Sequence, residues 1–335
     1  MMAFKKFFDN ILALGLSPFI KPRVYIDDYN GITAHLETLV LAFAIHKAYG
    51  HEIVLDWPEL DALSVEETTV GKVGVLAKIG AIRLRQCDEQ TFQTLKNKKI
   101  ICRSEDGPPG VLDPIYLEVA KKVKIRSGLV DQIIKTFDLI SGFPVVGLHV
   151  RRGDFALEGE NHFDPASTMY PAVPLWWYEK VMGALLKHHK DLKFFMSANG
   201  DPSSYSGLRR NFDIMTMDIR SPYDWKGVGH WSEVHPVADL FALACCSVIL
   251  ATPVSNFSHW AANVLGRPSV ALIPLKGACR EQPLTAALSL YGKRLCTWRK
   301  VCRGELTEGI SGFDLDRPLC APAQTDWLQD AKAPF

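Results

Sequence analysis

The stretch Pro144-Val-Val-Gly-Leu-His-Val-Arg-Arg-Gly-Asp-Phe155 constrains this chain more than any other, because a buried-strand pattern stops abruptly in charge. Val145, Val146, Leu148 and Val150 supply the apolar, β-branched character of a strand buried in a sheet. Arg151 and Arg152 cannot be left unpaired in that core, so the strand must deliver them to a rim. In open α/β sheets the rim at the carboxyl ends of the strands is where ligands bind. A guanidinium placed there, with its fixed fork of donors, suits an anionic, phosphorylated ligand. Two other readings stay open on these residues alone: an ion pair between the arginines and Asp154 or another acid, and an adhesion tripeptide in Arg152-Gly153-Asp154.

Further along, Leu192-Lys-Phe-Phe-Met-Ser197 reads as a short buried strand, and Ala198-Asn-Gly-Asp-Pro202 carries turn chemistry. Asp239-Leu-Phe-Ala-Leu-Ala-Cys-Cys246 has helical composition, Ser247 to Ala251 reads as a strand, and Thr252-Pro-Val-Ser-Asn-Phe-Ser-His-Trp260 turns into a helix. Ser255 or Ser258 is a natural N-cap there, and a helix start of this kind is an anion site. Taken singly, Asp239 reads as a helix-start acid favourable to the dipole, and His149 as a core histidine.

The composite His149-x-Arg151-Arg152-Gly153-Asp154 resembles the first motif of the α-1,2, α-1,6 and protein-O-fucosyltransferase superfamily. The stretch from Asp239 to Ser258 is similar to its third, in which an acid is followed sixteen positions later by a serine, the spacing of Asp239 and Ser255. The resemblance implies a GT-B-like α/β fold of two Rossmann-like domains facing across a cleft, and inverting, metal-independent transfer of fucose from GDP-fucose to a glycan hydroxyl. It assigns Arg151 and Ser255 to the β-phosphate, Arg152 to support of the pyrophosphate site, and His149 and Asp239 to the guanine. Asn256, Phe257 and Ser258 belong to the same nucleotide-binding loop.

The opening loop departs from that pattern. Related enzymes carry a Gly-Gly-x-Gly-Asn-like run before the first helix. Here Asn30-Gly-Ile-Thr-Ala-His-Leu36 matches only at Gly31 and Leu36, with Thr33 and Ala34 at the usual glycine and asparagine positions. This leaves room for GDP-mannose or another nucleotide sugar as donor, or for a catalytically silent nucleotide-sugar-binding protein. Some α-1,6 members place a catalytic glutamate about ten residues after the motif histidine, which brackets Glu158 and Glu160 as acceptor base; His35 and Asp154 are the alternatives. A carboxylate can take that proton if partial burial lifts its pKa.

With 335 residues, 47% of them hydrophobic, the chain can bury two cores of ordinary size. We place an amino-terminal α/β domain over 1–140, on the acceptor side, and a carboxyl-terminal nucleotide-sugar domain with an extension over 141–335. The first domain opens with a strand Arg23–Ile26, a helix from Gly31 to Tyr49 with Leu36, Leu39, Val40, Phe43 and Ala44 on one face, and a strand His51–Trp57. Asp61 to Glu105 is mixed, and Asp131 to Ile140 reads as a helix. A net charge of +1 gives no pull toward nucleic acid. Eight scattered cysteines show no zinc spacing, Cys245 and Cys246 read as small core residues, and the acids are not read as a metal cage, so no metal or cofactor is expected beyond the donor substrate. No run reaches the roughly eighteen apolar residues of a membrane span. The basic, apolar Met1–Leu16 allows a surface contact with a membrane, and the expected location is the cytoplasm.

Overall fold

The computed structural model describes residues 22–157, 161–164, 168–223, 232–267, 269–274, 278–281, 287–289 and 320–333. The chain forms two compact units, which divide between Lys124 and Ile125.

The first unit is built on a parallel sheet. Strand β1 (Arg23–Asp27) leads through Asn30-Gly31 into helix α1 (Ile32–Tyr49), which returns to β2 (Glu52–Asp56). After β3 (Thr69–Val70) come the one-turn helix α2 (Val75–Lys78), β4 (Ile82–Leu84) and β5 (Ile100–Cys102). The order β3-β2-β1-β5-β4 is parallel throughout, with the winding direction reversing between β1 and β5. Helix α1 is buried far beyond the single face that its sequence pattern suggests: every residue from Ala34 to Ile45 is buried, including His35 and Glu37. The cause is a second layer outside it, in which Tyr116 donates a hydrogen bond to the Glu37 carboxylate at 2.5 Å.

The second unit starts with helix α3 (Ser127–Asp138), which the sequence reading had placed before a boundary at 140/141. Its buried side chains Val130, Ile133 and Phe137 explain the placement, since Phe137 meets Phe195 of this unit's sheet at 5.4 Å between rings. Strand β6 (Val145–Val150) follows, with all six residues buried as its apolar run predicts. Then come α4 (Leu175–His188), β7 (Lys193–Ala198), β8 (Ile214–Met215), α5 (Pro236–Leu243) and β9 (Val248–Leu250). The short helix α6 (Asn256–His259), β10 (Val270–Pro274) and β11 (Ala287–Ser289) complete the unit's main elements.

The sheet order is β8-β7-β6-β9-β10-β11, parallel except for β11. Winding runs outward from β6 to β8 and then restarts on the other side at β9. The topological switch point therefore lies between β6 and β9, and this is where a doubly wound sheet opens a crevice for a ligand. Gly147, in the middle of β6, brings α5 close: a Cβ there would lie 2.6 Å from Leu243 Cδ1 and 3.1 Å from Cys246 Cβ. Cys245 and Cys246 are buried, reduced core residues. Among the described residues, no helix is long and apolar enough to cross a membrane.

Candidate functional site

The carboxyl ends of β6, β7 and β9 gather the residues that the motifs single out in the second unit. The backbone carbonyl of His149 accepts two hydroxyls, from Tyr178 and Thr252, each at 2.7 Å. Burial pushes the Tyr178 phenol up to about 12, so it stays a donor at any physiological pH. The His149 side chain lies stacked on Phe257 at 4.8 Å, and its Nδ1 shares a 2.7 Å hydrogen bond with Ser258 Oγ, which also accepts the Thr252 N–H at 3.1 Å. Burial, and secondarily the charge of Arg151, hold the imidazole well below its ordinary pKa. It is therefore neutral, and its Nε2 has the opposite donor or acceptor character from Nδ1.

Beyond Val150 the chain leaves the sheet through Gly153 at φ +76°. Arg151 places Nε and Nη2 on the two oxygens of Asp154, both at 3.0 Å, and its guanidinium lies 5.5 Å from the Phe155 ring centre. The ion pair open at the sequence level is thus made, by Arg151 and not Arg152. It fixes the guanidinium in one orientation and leaves Nη1 outside the fork. Arg152 is buried, and among the described residues no carboxylate pairs with it. Burial lowers its pKa, because desolvation disfavours the charged form. Its N–H donates to Asn199 Oδ1 at 2.7 Å. That asparagine begins the turn after β7, whose Gly200 (φ +78°) packs so near that a Cβ would sit 3.1 Å from Arg152 Cβ and 3.2 Å from the Gly153 nitrogen.

Asp239 occupies the first turn of α5 and is buried. One oxygen, Oδ2, accepts the Ser197 hydroxyl at 2.6 Å; the other, Oδ1, is buried and has no hydrogen-bond partner among the described residues. Ser197 stands opposite His149 in the β6–β7 register, which sets the imidazole and the hydroxyl that holds the acid on neighbouring strands. Desolvation raises the Asp239 pKa from 3.8 to about 7, and the Ser197 bond only partly offsets this. A buried carboxylate oxygen with an empty lone pair is a costly feature that a pair of ligand N–H donors would satisfy.

After β9, Val254 adopts φ +64°, which a β-branched residue takes only under strain. It delivers Ser255 to the N-cap position of α6, where its side chain makes no capping bond, while Ser258 lies inside the helix and serves His149. Asn256 and Phe257 open the helix, which continues as a π-helical turn, Trp260–Val264. The structure thus brings His149, Arg151, Arg152, Asp239 and Ser255 to one rim. Sequence reasoning missed Ser197, Tyr178 and Thr252, whose roles depend on register, and gave Asn199 only a turn role. Glu158 and Glu160 lie outside the described residues.

The opening loop of the first unit holds Gly31 at φ −82° and ψ 173°, an extended conformation open to any residue. Behind it His35 is wholly buried, stacked on Trp57 at 4.8 Å, with Nδ1 3.4 Å from Glu59 Oε2 and Nε2 3.9 Å from Asp28 Oδ1. Across this sheet's own switch point, Arg103 donates two hydrogen bonds to Asp27 at 2.8 and 2.6 Å. Among the described residues no group of three or more His, Cys, Asp or Glu side chains is placed to hold a metal ion.

No protein-family model and no curated protein matches the chain. Solved structures do. A single-residue variant of FUT1 from Arabidopsis thaliana, in complex with GDP, is similar at a TM-score of 0.53 and 10% identity, over 82% of this chain and 75% of that one. The fucosyltransferase NodZ from Bradyrhizobium gives 0.47 at 14% identity over 76% and 96%, and POFUT1 in complex with GDP-fucose gives 0.44 at 10% over 75% and 97%. The chain has a GT-B-like fold. At these identities the likeness speaks for architecture, and the site must be argued from its own geometry.

Proposed function

We propose that the chain is a glycosyltransferase of the fucosyltransferase superfamily that transfers fucose from GDP-fucose to a glycan hydroxyl, with inversion and without a metal ion. The observation that carries this reading is the buried Oδ1 of Asp239, which has no hydrogen-bond partner among the described residues, on the same rim as the buried Arg152 guanidinium. Guanine offers N1–H and an exocyclic amine side by side, which one carboxylate accepts together; adenine and uracil lack that pair. Arg151 and Arg152 supply the positive charge that a diphosphate needs. The GDP held by Arabidopsis FUT1, whose fold is similar, supports the same donor class.

In the chemistry proposed, the acceptor oxygen attacks the anomeric carbon as the bond to the β-phosphate oxygen breaks, and negative charge grows on the departing GDP. Arg151, already oriented by Asp154, meets that charge without reorganising, and groups preorganised in this way contribute about 3–4 kcal/mol each in comparable sites. Glu158 or Glu160 takes the acceptor proton. His149, neutral and fixed by Ser258, contributes a hydrogen bond to the base through Nε2. The departures at Thr33 and Ala34 favour a donor panel that includes GDP-mannose.

Calorimetry with GDP, ADP and UDP, followed by GDP release from GDP-fucose and GDP-mannose, tests the reading. GDP should bind at least about tenfold more tightly than UDP, one charge-assisted base contact being worth about 1.5–3 kcal/mol. Equal binding of all three nucleotides, or none, overturns it. Binding without turnover of either sugar nucleotide would leave a silent binding protein.

A further inference from the structure

We propose that the face of the first unit formed by α2 and its flanks, from Lys72 to Arg83, is a docking surface for an anionic lipid bilayer. Between Glu67 and Asp88 the sequence holds four bases, Lys72, Lys78, Arg83 and Arg85, and no acid. The fold concentrates them. The chain crosses one face of the sheet and buries Val73 and Ala77, with Ala81 half-buried beside them, against Tyr25, Val54 and Ile101. Having spent its small residues inward, it leaves Val75, Leu76 and Ile79 outward, at 75%, 81% and 36% exposure. Arg83 stands opposite Ile101 in the β4–β5 register and so emerges on this same face.

The exposure is built in. Lys99 donates from Nζ to the carbonyls of Leu76 and Ile79 at 2.8 and 2.9 Å, which pins the turn that presents these side chains. Among the described residues, Lys72 is the one base of this face that meets an acid, Asp56 at 3.0 Å, and its side chain is still 93% exposed. Single exposed leucines are ordinary on a soluble surface, but adjacent large apolar groups ringed by cations are the chemistry of interfacial insertion. Apolar side chains enter the headgroup–acyl boundary while Lys and Arg meet anionic headgroups. A second copy of the chain fits poorly, because a two-fold contact would set bases against bases, with Asp56 already engaged by Lys72. This inference does not rest on the transferase reading.

The test is co-sedimentation of the full-length chain with vesicles of phosphatidylcholine alone or with one quarter phosphatidylglycerol, at low and high salt. The expected result is binding to the anionic vesicles that weakens with salt, and a loss of about tenfold or more in Leu76→Glu and, separately, in Lys78→Glu/Arg83→Glu. Both variants should melt as the wild type does, since the altered side chains are exposed; Val75→Ser/Leu76→Ser serves as a milder apolar control. Absence of binding overturns the proposal, and so does undiminished binding by these variants, which moves the membrane contact to another part of the chain such as the basic, apolar Met1–Leu16. A wild-type dimer that the same variants convert to monomer, with vesicle binding unaffected, also overturns it.

Discussion

Replacing Asp239 by Asn should strengthen the free protein and weaken its hold on GDP. Burial raises this carboxyl from 3.8 to about 7. At about 1.4 kcal/mol per pH unit, keeping it ionised inside the fold costs roughly 4 kcal/mol. The sign follows from linkage: a group whose folded pKa is raised stabilises fully only below its unfolded pKa, near 4, and that contribution is lost as pH rises through about 7. Asn stays neutral throughout. Asp239→Asn should therefore melt close to the wild type near pH 4 and several degrees higher at pH 8, with roughly 4 kcal/mol as the upper bound. GDP binding should move the other way, with a loss of about 1.5–3 kcal/mol at pH 8 and a smaller loss for UDP. In the wild type, GDP affinity should fall toward tenfold per pH unit below about 7, because the ionised form is the acceptor, and the variant should lack that dependence. Thermal melts from pH 4 to 8 and calorimetry from pH 5.5 to 8 read the two effects. A variant that melts lower at pH 8, or that loses GDP and UDP equally, refutes the reasoning.

Arg151→Lys keeps the charge but loses the fork shared with Asp154, and transfer should drop by about 10²–10³; near-wild-type turnover on a folded variant would remove Arg151 from the chemistry. One of Glu158→Gln and Glu160→Gln should lower kcat by about 10²–10⁴ with GDP affinity unchanged, and normal kinetics in both would send the search to His35 and Asp154. Transfer should survive EDTA, and activity abolished by chelation and restored by added metal would refute an arginine-only account of leaving-group stabilisation. Gly147→Ala drives a Cβ into Leu243 and Cys246 and should cost about 1–3 kcal/mol of stability, read as a lower melting temperature.

The strands of the second unit were legible because their apolar runs are continuous: the expected strand at Val145 and the observed β6 agree, as do Leu192–Ser197 and β7. In the first unit, the helix expected from Gly31 to Tyr49 is found from Ile32 to Tyr49. The region from Asp61 to Glu105 could not be read, since its strands β3, β4 and β5 are two or three residues long and are defined by their partners' register rather than by any pattern of their own. The same distinction governs the site. Arg151 and Asp239 stand out as charges in apolar company, whereas Ser197 acquires meaning only when β7 sets it beside His149. Likewise, no local signal links Glu59 to His35, which meet through the fold of the first unit.

The His149 carbonyl, closed off by the hydroxyls of Tyr178 and Thr252, has a consequence for how such a protein can change. The start of the arginine loop hangs from side chains, these two and the Asn199 amide, while backbone bonds of Ala156 with Tyr170 and Ala172 tie down its far end. The layers beneath can therefore stay constant while residues 151–155 and 200–201 are exchanged for loops with other ligand preferences. Tyr178, Thr252 and Asn199 are the three side-chain anchor points that a grafted loop would have to respect. An engineer seeking a different sugar nucleotide would keep those three and vary what lies between them.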